Sequence, residues 1–113
     1  MITTTQAAES RTVFTYAPDG VNVGMITGYT DLKDATFVVE HVIVFPGAPL
    51  LTLAKMVRAG LEEAWALDYQ GVVFCLPDDF APGPALARLG QRLGFVAYAR
   101  ENGLTWWVKW KVP

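Results

Sequence analysis

Hydrophobic and polar positions change period along the chain, and the changes predict its elements. Thr12-Val13-Phe14-Thr15-Tyr16 is β-prone, and Pro18-Asp19-Gly20 reads as a turn. From Val21 to Thr30 apolar side chains recur at even spacing (Val21, Val23, Met25, Tyr29), which predicts a second strand. Asp31-Leu32-Lys33-Asp34 is a further turn, so these strands are expected to pair as an antiparallel meander. Ala35 to Phe45 holds Val38, Val39, Val42, Ile43 and Val44, a nearly continuous run that predicts a strand buried on both faces. Pro46-Gly47-Ala48-Pro49 ends it.

A helix is predicted from about Leu50 to Leu67, with Leu50, Ala54, Val57, Leu61 and Ala64 forming one inward stripe. Lys55, Arg58, Glu62 and Glu63 take its outer face. Gly60 inside the helix costs about 1 kcal/mol relative to alanine, and predicts close packing on a strand. Val72 to Leu76 reads as a short buried strand, and together with the strand and helix before it makes a βαβ unit with parallel strands. A second helix is predicted from Ala85 to Leu93, with Leu86, Leu89 and Leu93 inward and Gly94 as its stop. Two last strands, Phe95 to Arg100 and Leu104 to Val112, flank the hairpin signal Asn102-Gly103. In the last strand Leu104, Trp106, Val108 and Trp110 share one face, expected to be core, while Trp107 and two lysines share the other. Trp107 is therefore the expected homodimer contact. The whole is one α+β domain over residues 11–113 with a flexible N-terminal arm at 1–10. Its mostly antiparallel mixed sheet follows the order β-β-β-α-β-α-β-β with one parallel crossover.

Composition narrows the partners. Hydrophobic residues are 52% of the 113 and charged residues only 18%, against a usual charged share of about 25%. A surface so poor in charge predicts apolar area covered by a partner, with a homodimer as the leading expectation. The net charge is -2 and the basic residues are scattered, so nucleic acid is not an expected partner. No apolar run reaches the ~18 residues of a membrane span, and the Thr-rich start lacks the apolar core of a secretory signal. The expectation is a cytoplasmic protein without membrane contact.

Three segments, in order, resemble the GNAT N-acetyltransferases. Glu40-His41-Val42-Ile43-Val44-Phe45-Pro46 is similar to that superfamily's strand ending Glu-Asp-x-x-Val-x-Pro. Leu53 to Gly71 matches the long helix that runs to a glycine, and Leu89 to Phe95 matches the Leu-Gly-Phe segment. The resemblance covers Val21 to the C-terminus. It implies an acyl-CoA-dependent N-acetyltransferase fold, with acetyl-CoA or CoA between the two parallel strands and a small-molecule or protein amine as acceptor. Carried over, the cofactor-binding positions are Val42 and Val44 on the strand and Pro49, Leu50, Leu51, Thr52, Leu53 and Ala54 at the helix start.

The chain departs from the pattern in three places. The family's phosphate-holding loop, Arg/Gln-x-x-Gly-x-Gly/Ala, presents clustered N–H groups to an anion. Here its basic residue is Pro49, and Leu50 and Thr52 stand where glycines are expected; Ala54 alone keeps the pattern. Gly90 stands where the family often places a tyrosine acid. No helical pattern precedes Leu50, where the family usually has two helices shaping the acceptor side. These losses favour an alternative, a non-catalytic GNAT-fold binding or dimerisation module. A ferredoxin-like or other small α+β binding domain is a third reading, opposed by the Leu-Gly-Phe match.

Glu40 is the candidate general base for deprotonating an amine, and Val38, Val39 and Val42 around it predict a buried carboxyl. Strict alternation would turn His41 to the opposite face. His41 and Cys75 lack convergent partners, so neither a metal site nor a nucleophile is expected. Asp78 and Asp79, between Pro77 and Pro82, read as a solvated loop.

Overall fold

The computed structural model describes residues 2–6, 11–49, 51–77 and 83–112. In chain order they form β1 (Ile2–Gln6), β2 (Arg11–Tyr16), β3 (Gly24–Asp31), β4 (Thr36–Val44), α1 (Thr52–Ala66), β5 (Gly71–Pro77), α2 (Gly83–Arg92), β6 (Val96–Glu101) and β7 (Leu104–Trp110). The strands make one sheet in the order β1-β2-β3-β4-β5-β7-β6. Only β4 and β5, joined through α1, are parallel; every other pair is antiparallel. The predicted order holds, with one strand added in front. Ile2–Gln6 is not the arm expected there: it pairs with β2 from Ile2↔Tyr16 to Gln6↔Thr12. Threonine's β-branched side chain suits a strand even where no apolar alternation announces one. Residues 7–10 and the Asp78-Asp79 pair lie outside the described residues.

Local chemistry explains the turns. Asn102 and Gly103 both have positive φ, 54° and 76°, the conformation a two-residue hairpin between β6 and β7 requires.

Both helices pack on the same face of the sheet. Beneath α1 lie Phe14, Ile26 and Phe37, with Met56 fully buried among them. Phe37 meets Phe14 edge-on at 5.0 Å and Tyr69 at 5.5 Å. The Tyr69 hydroxyl and Thr30 Oγ1 are hydrogen-bonded at 2.6 Å, tying the end of α1 to β3. The buried line of α1 runs through Thr52, Met56, Gly60, Leu61 and Ala64, so the predicted stripe is rotated, with Ala54 and Val57 only half-buried. Gly60 does mark close packing: a Cβ there would come within 2.9 Å of Ile26 Cδ1 on β3. Under α2, Phe74 stacks on Trp107 at 6.1 Å and meets Phe95 edge-on at 4.9 Å.

The last strand is reversed relative to expectation. Trp107 is 8% exposed and belongs to the core, whereas Trp110 is 54% exposed. The predicted Trp107 interface contact is therefore ruled out. Alternation correctly separated the two faces, but the helices cover the face that carries Trp107. Among the described residues neither helix covers the other face, where Val96, Tyr98 and Trp110 are exposed. No described helix is long and apolar enough to cross a membrane.

Candidate functional site: a splay between two parallel strands

The β4–β5 ladder holds for only three pairs, Thr36↔Gly71, Phe37↔Val72 and Val38↔Val73. Beyond them β4 runs on through Val39–Val44 and β5 through Phe74–Pro77, each keeping only its outer neighbour. A bulge explains the parting. Thr27 pairs with His41 and Gly28 with Val39, which leaves Glu40 as the extra residue. A bulge bends its strand and sharpens the local twist. The valine run is consequently not buried on both faces. Val42, Ile43 and Val44 are about 40% exposed, at 41%, 41% and 39%, because no strand lies beside them on the β5 side.

The splay opens into a cavity of about 420 Å³. Its walls are apolar: Leu53, Val57 and Leu61 of α1, Val39 of β4, Phe74 of β5 and Leu89 of α2. Among the described residues that line it, the polar ones are Glu40, His41 and Cys75. A space of this size and lining suits an organic ligand with a long apolar or neutral chain.

The bulge also corrects the placement of the two titratable residues. Glu40 Oε2 lies 3.4 Å from Arg11 Nη2 on β2, and His41 Nδ1 lies 3.2 Å from Thr27 Oγ1 on β3. Arg11 and Thr27 both point away from the helices, since their neighbours Thr12, Ile26 and Gly28 are the buried ones. Glu40 and His41 therefore share the uncovered face, not opposite faces. Nor is the Glu40 carboxyl buried as expected: its side chain is 26% exposed and that of Arg11 55%. An ion pair so open to water is worth about 0–1 kcal/mol.

Cys75 is inert. Burial pushes its thiol above the ordinary value, which leaves little thiolate to attack anything. Tyr98 is raised likewise, first by burial.

Where β4 gives way to α1, the backbone turns through Gly47 and reaches Leu51 with φ 71°, with no side-chain cap on the helix. The Thr52 N–H and hydroxyl both donate to the Pro49 carbonyl. Leu50, one of the carried-over positions, lies outside the described residues. At Gly90 a Cβ would stand 3.1 Å from Phe74 Cζ and 3.7 Å from Phe95 Cβ. A side chain at that position would need the Phe74 ring to give by a few tenths of an ångström.

Solved proteins share this fold. An acetyltransferase of the GNAT family from Desulfovibrio desulfuricans superposes with a TM-score of 0.72 at 11% identity, over 89% of this chain and 69% of that one. The N-acetyltransferase PseH of Campylobacter jejuni gives 0.75 at 13% identity, over 92% and 70%. The chain has the GNAT fold. A third GNAT-fold neighbour, the PaiA N-acetyltransferase of Thermoplasma acidophilum, was solved with coenzyme A; it gives 0.71 at 8% identity, over 90% of this chain and 62% of that one. Sequence comparison is silent: no protein-family model matches, and no curated protein does. The GNAT fold thus rests on shape, as identities this low allow no residue-level transfer.

Proposed function

We propose that this chain is a GNAT-type N-acyltransferase with an open acceptor side, moving an acyl group from a CoA-type thioester to an amine. The observation that carries the reading is the splay, a strand edge at Val39–Val44 without a ladder partner beside an apolar cavity. An extended donor chain bearing amide groups would add to that edge as a strand does, with backbone groups around Val42 and Val44 as its partners. Leu53 borders the cavity, and Ala54 follows it in the first turn of α1. The thioester supplies an activated acyl carbon; the chain's own residues orient the donor and handle the proton.

Glu40 is the proposed base. Glu40 is among the residues that line the cavity, and its carboxylate, oriented by Arg11, would accept a proton from the substrate's ammonium and so free the amine that attacks. The amine nitrogen then bonds to the acyl carbon and the carbon–sulfur bond breaks; the nitrogen gives up its second proton to water, and the departing sulfur takes one from water, since Gly90 offers none. His41 is the competing base. In the tautomer whose Nδ1–H donates to Thr27, Nε2 keeps the lone pair that proton transfer needs.

Thiol release from acetyl-CoA with a panel of amines tests the assignment. Glu40→Gln is expected to lower kcat about 100-fold with donor affinity unchanged, the usual share of a general base. A comparable loss in His41→Gln, with Glu40→Gln active, would move the role to His41. No transfer to any amine by the parent chain would overturn the enzyme reading.

The uncovered face favours a second reading, a non-catalytic module that docks on a copy of itself. Val96, Tyr98 and Trp110 expose 64%, 56% and 54% of their surface there. A dimer that Trp110→Asp splits, in a chain inactive throughout, would support it. Both readings suit a cytoplasmic protein without nucleic acid or membrane.

A further inference from the structure

Resting on the acyltransferase reading, we infer that the site grips the pantetheine arm of its donor alone and leaves the nucleotide end without a protein partner. The substrate class is then acyl-pantetheine thioesters, whether carried on coenzyme A or on a carrier protein.

The two ends of the splay differ in chemistry. Along the cavity, apolar walls and the exposed backbone of β4 suit a neutral chain with amide groups. A phosphate-bearing tail would leave the splay where β4 ends and α1 begins. An anion is held there by free N–H groups at a helix N-terminus and by nearby cations.

This helix start lacks part of that set. Pro49 carries no N–H. The Thr52 N–H and hydroxyl are both turned back onto the Pro49 carbonyl, and Thr52 is 5% exposed. Leu51, at φ 71°, holds a glycine-like conformation but carries a 66% exposed isobutyl group where a glycine would leave the backbone open. The adjoining groove holds one cation and one anion, Lys55 and Asp19, whose charges cancel. A pyrophosphate arriving here would meet a proline, a leucine and a neutral groove.

Calorimetric titration of the full chain with coenzyme A and with pantetheine, at 50 mM and 500 mM salt, tests this. The expected dissociation constants agree within about threefold, a difference under 1 kcal/mol, and change little with salt. Coenzyme A binding about 30-fold or more tighter than pantetheine, with the advantage lost in high salt, would overturn the inference and leave the acyltransferase reading standing. Binding of neither would overturn both. Lys55→Ala, an exposed change that spares the fold, should alter neither affinity; a selective loss for coenzyme A would count against the inference. A holo acyl carrier protein in the same titration identifies the source, by binding more tightly than pantetheine if the carrier is the donor and more weakly if the free thioester is.

Discussion

Replacing Phe37 with alanine is expected to destabilise the chain by about 3–5 kcal/mol, a large part of the roughly 5–15 kcal/mol that holds a domain together. Phe37 is 1% exposed and contacts Phe14 and Tyr69 edge to face. It also lines the cavity of the splay. The void left by the ring would merge with that cavity, so its neighbours have little reason to collapse inward, and the cost should fall at the upper end of the range. Urea unfolding measures it: the midpoint should drop sharply with the slope unchanged. A midpoint within about 1 kcal/mol of the parent's would mean that the aromatic cluster is not the centre of the core.

Gly28→Ala is the second large effect, and it links the fold to the site. A Cβ at Gly28 would overlap the Val38 carbonyl oxygen and lie 2.7 Å from Phe37 Cζ. The obstacle is backbone, which cannot rotate aside as a side chain can. The cost should reach or exceed about 3 kcal/mol, the top of the usual range for overpacking. Any folded remainder must shift the β3–β4 register at the bulge, and Glu40 and His41 would move with it. Gly47→Ala is the control. Gly47 has φ 83° but nothing within 4 Å of its missing Cβ, so only backbone strain of about 1–2 kcal/mol is expected. Equal losses in the two variants would refute the crowding argument.

Much of the fold was legible because it rests on local rules. Asn102-Gly103 dictates a hairpin, Gly60 announces a close helix–strand approach, and a strand, helix and strand in succession fix the parallel pair. Three features were not. The Thr-rich Ile2–Gln6 strand has no apolar alternation to announce it. The bulge at Glu40 depends on how β4 meets Gly28, a long-range fit invisible in the run of valines. The tryptophans of β7 alternate cleanly, but alternation cannot say which face the helices will cover. With both helices on one side, Trp107 went inward and Trp110 outward. The site followed the same division. The parallel pair beside which the splay opens was readable from the crossover, whereas the splay itself was implied only by the GNAT resemblance. The shared face of Glu40 and His41 was not, since one inserted residue reverses the parity that separates them.

The most direct test is a two-dimensional amide spectrum of the isotope-labelled chain titrated with pantetheine, followed by hydrogen exchange. The account predicts shifts concentrated at Val39–Val44 and Phe74–Leu76, with β4 amides exchanging more slowly in the complex, because the bound chain occupies the strand edge that β5 leaves vacant. Shifts confined to Val96, Tyr98 and Trp110, with the β4 amides unmoved, would place the ligand on the uncovered face and contradict it.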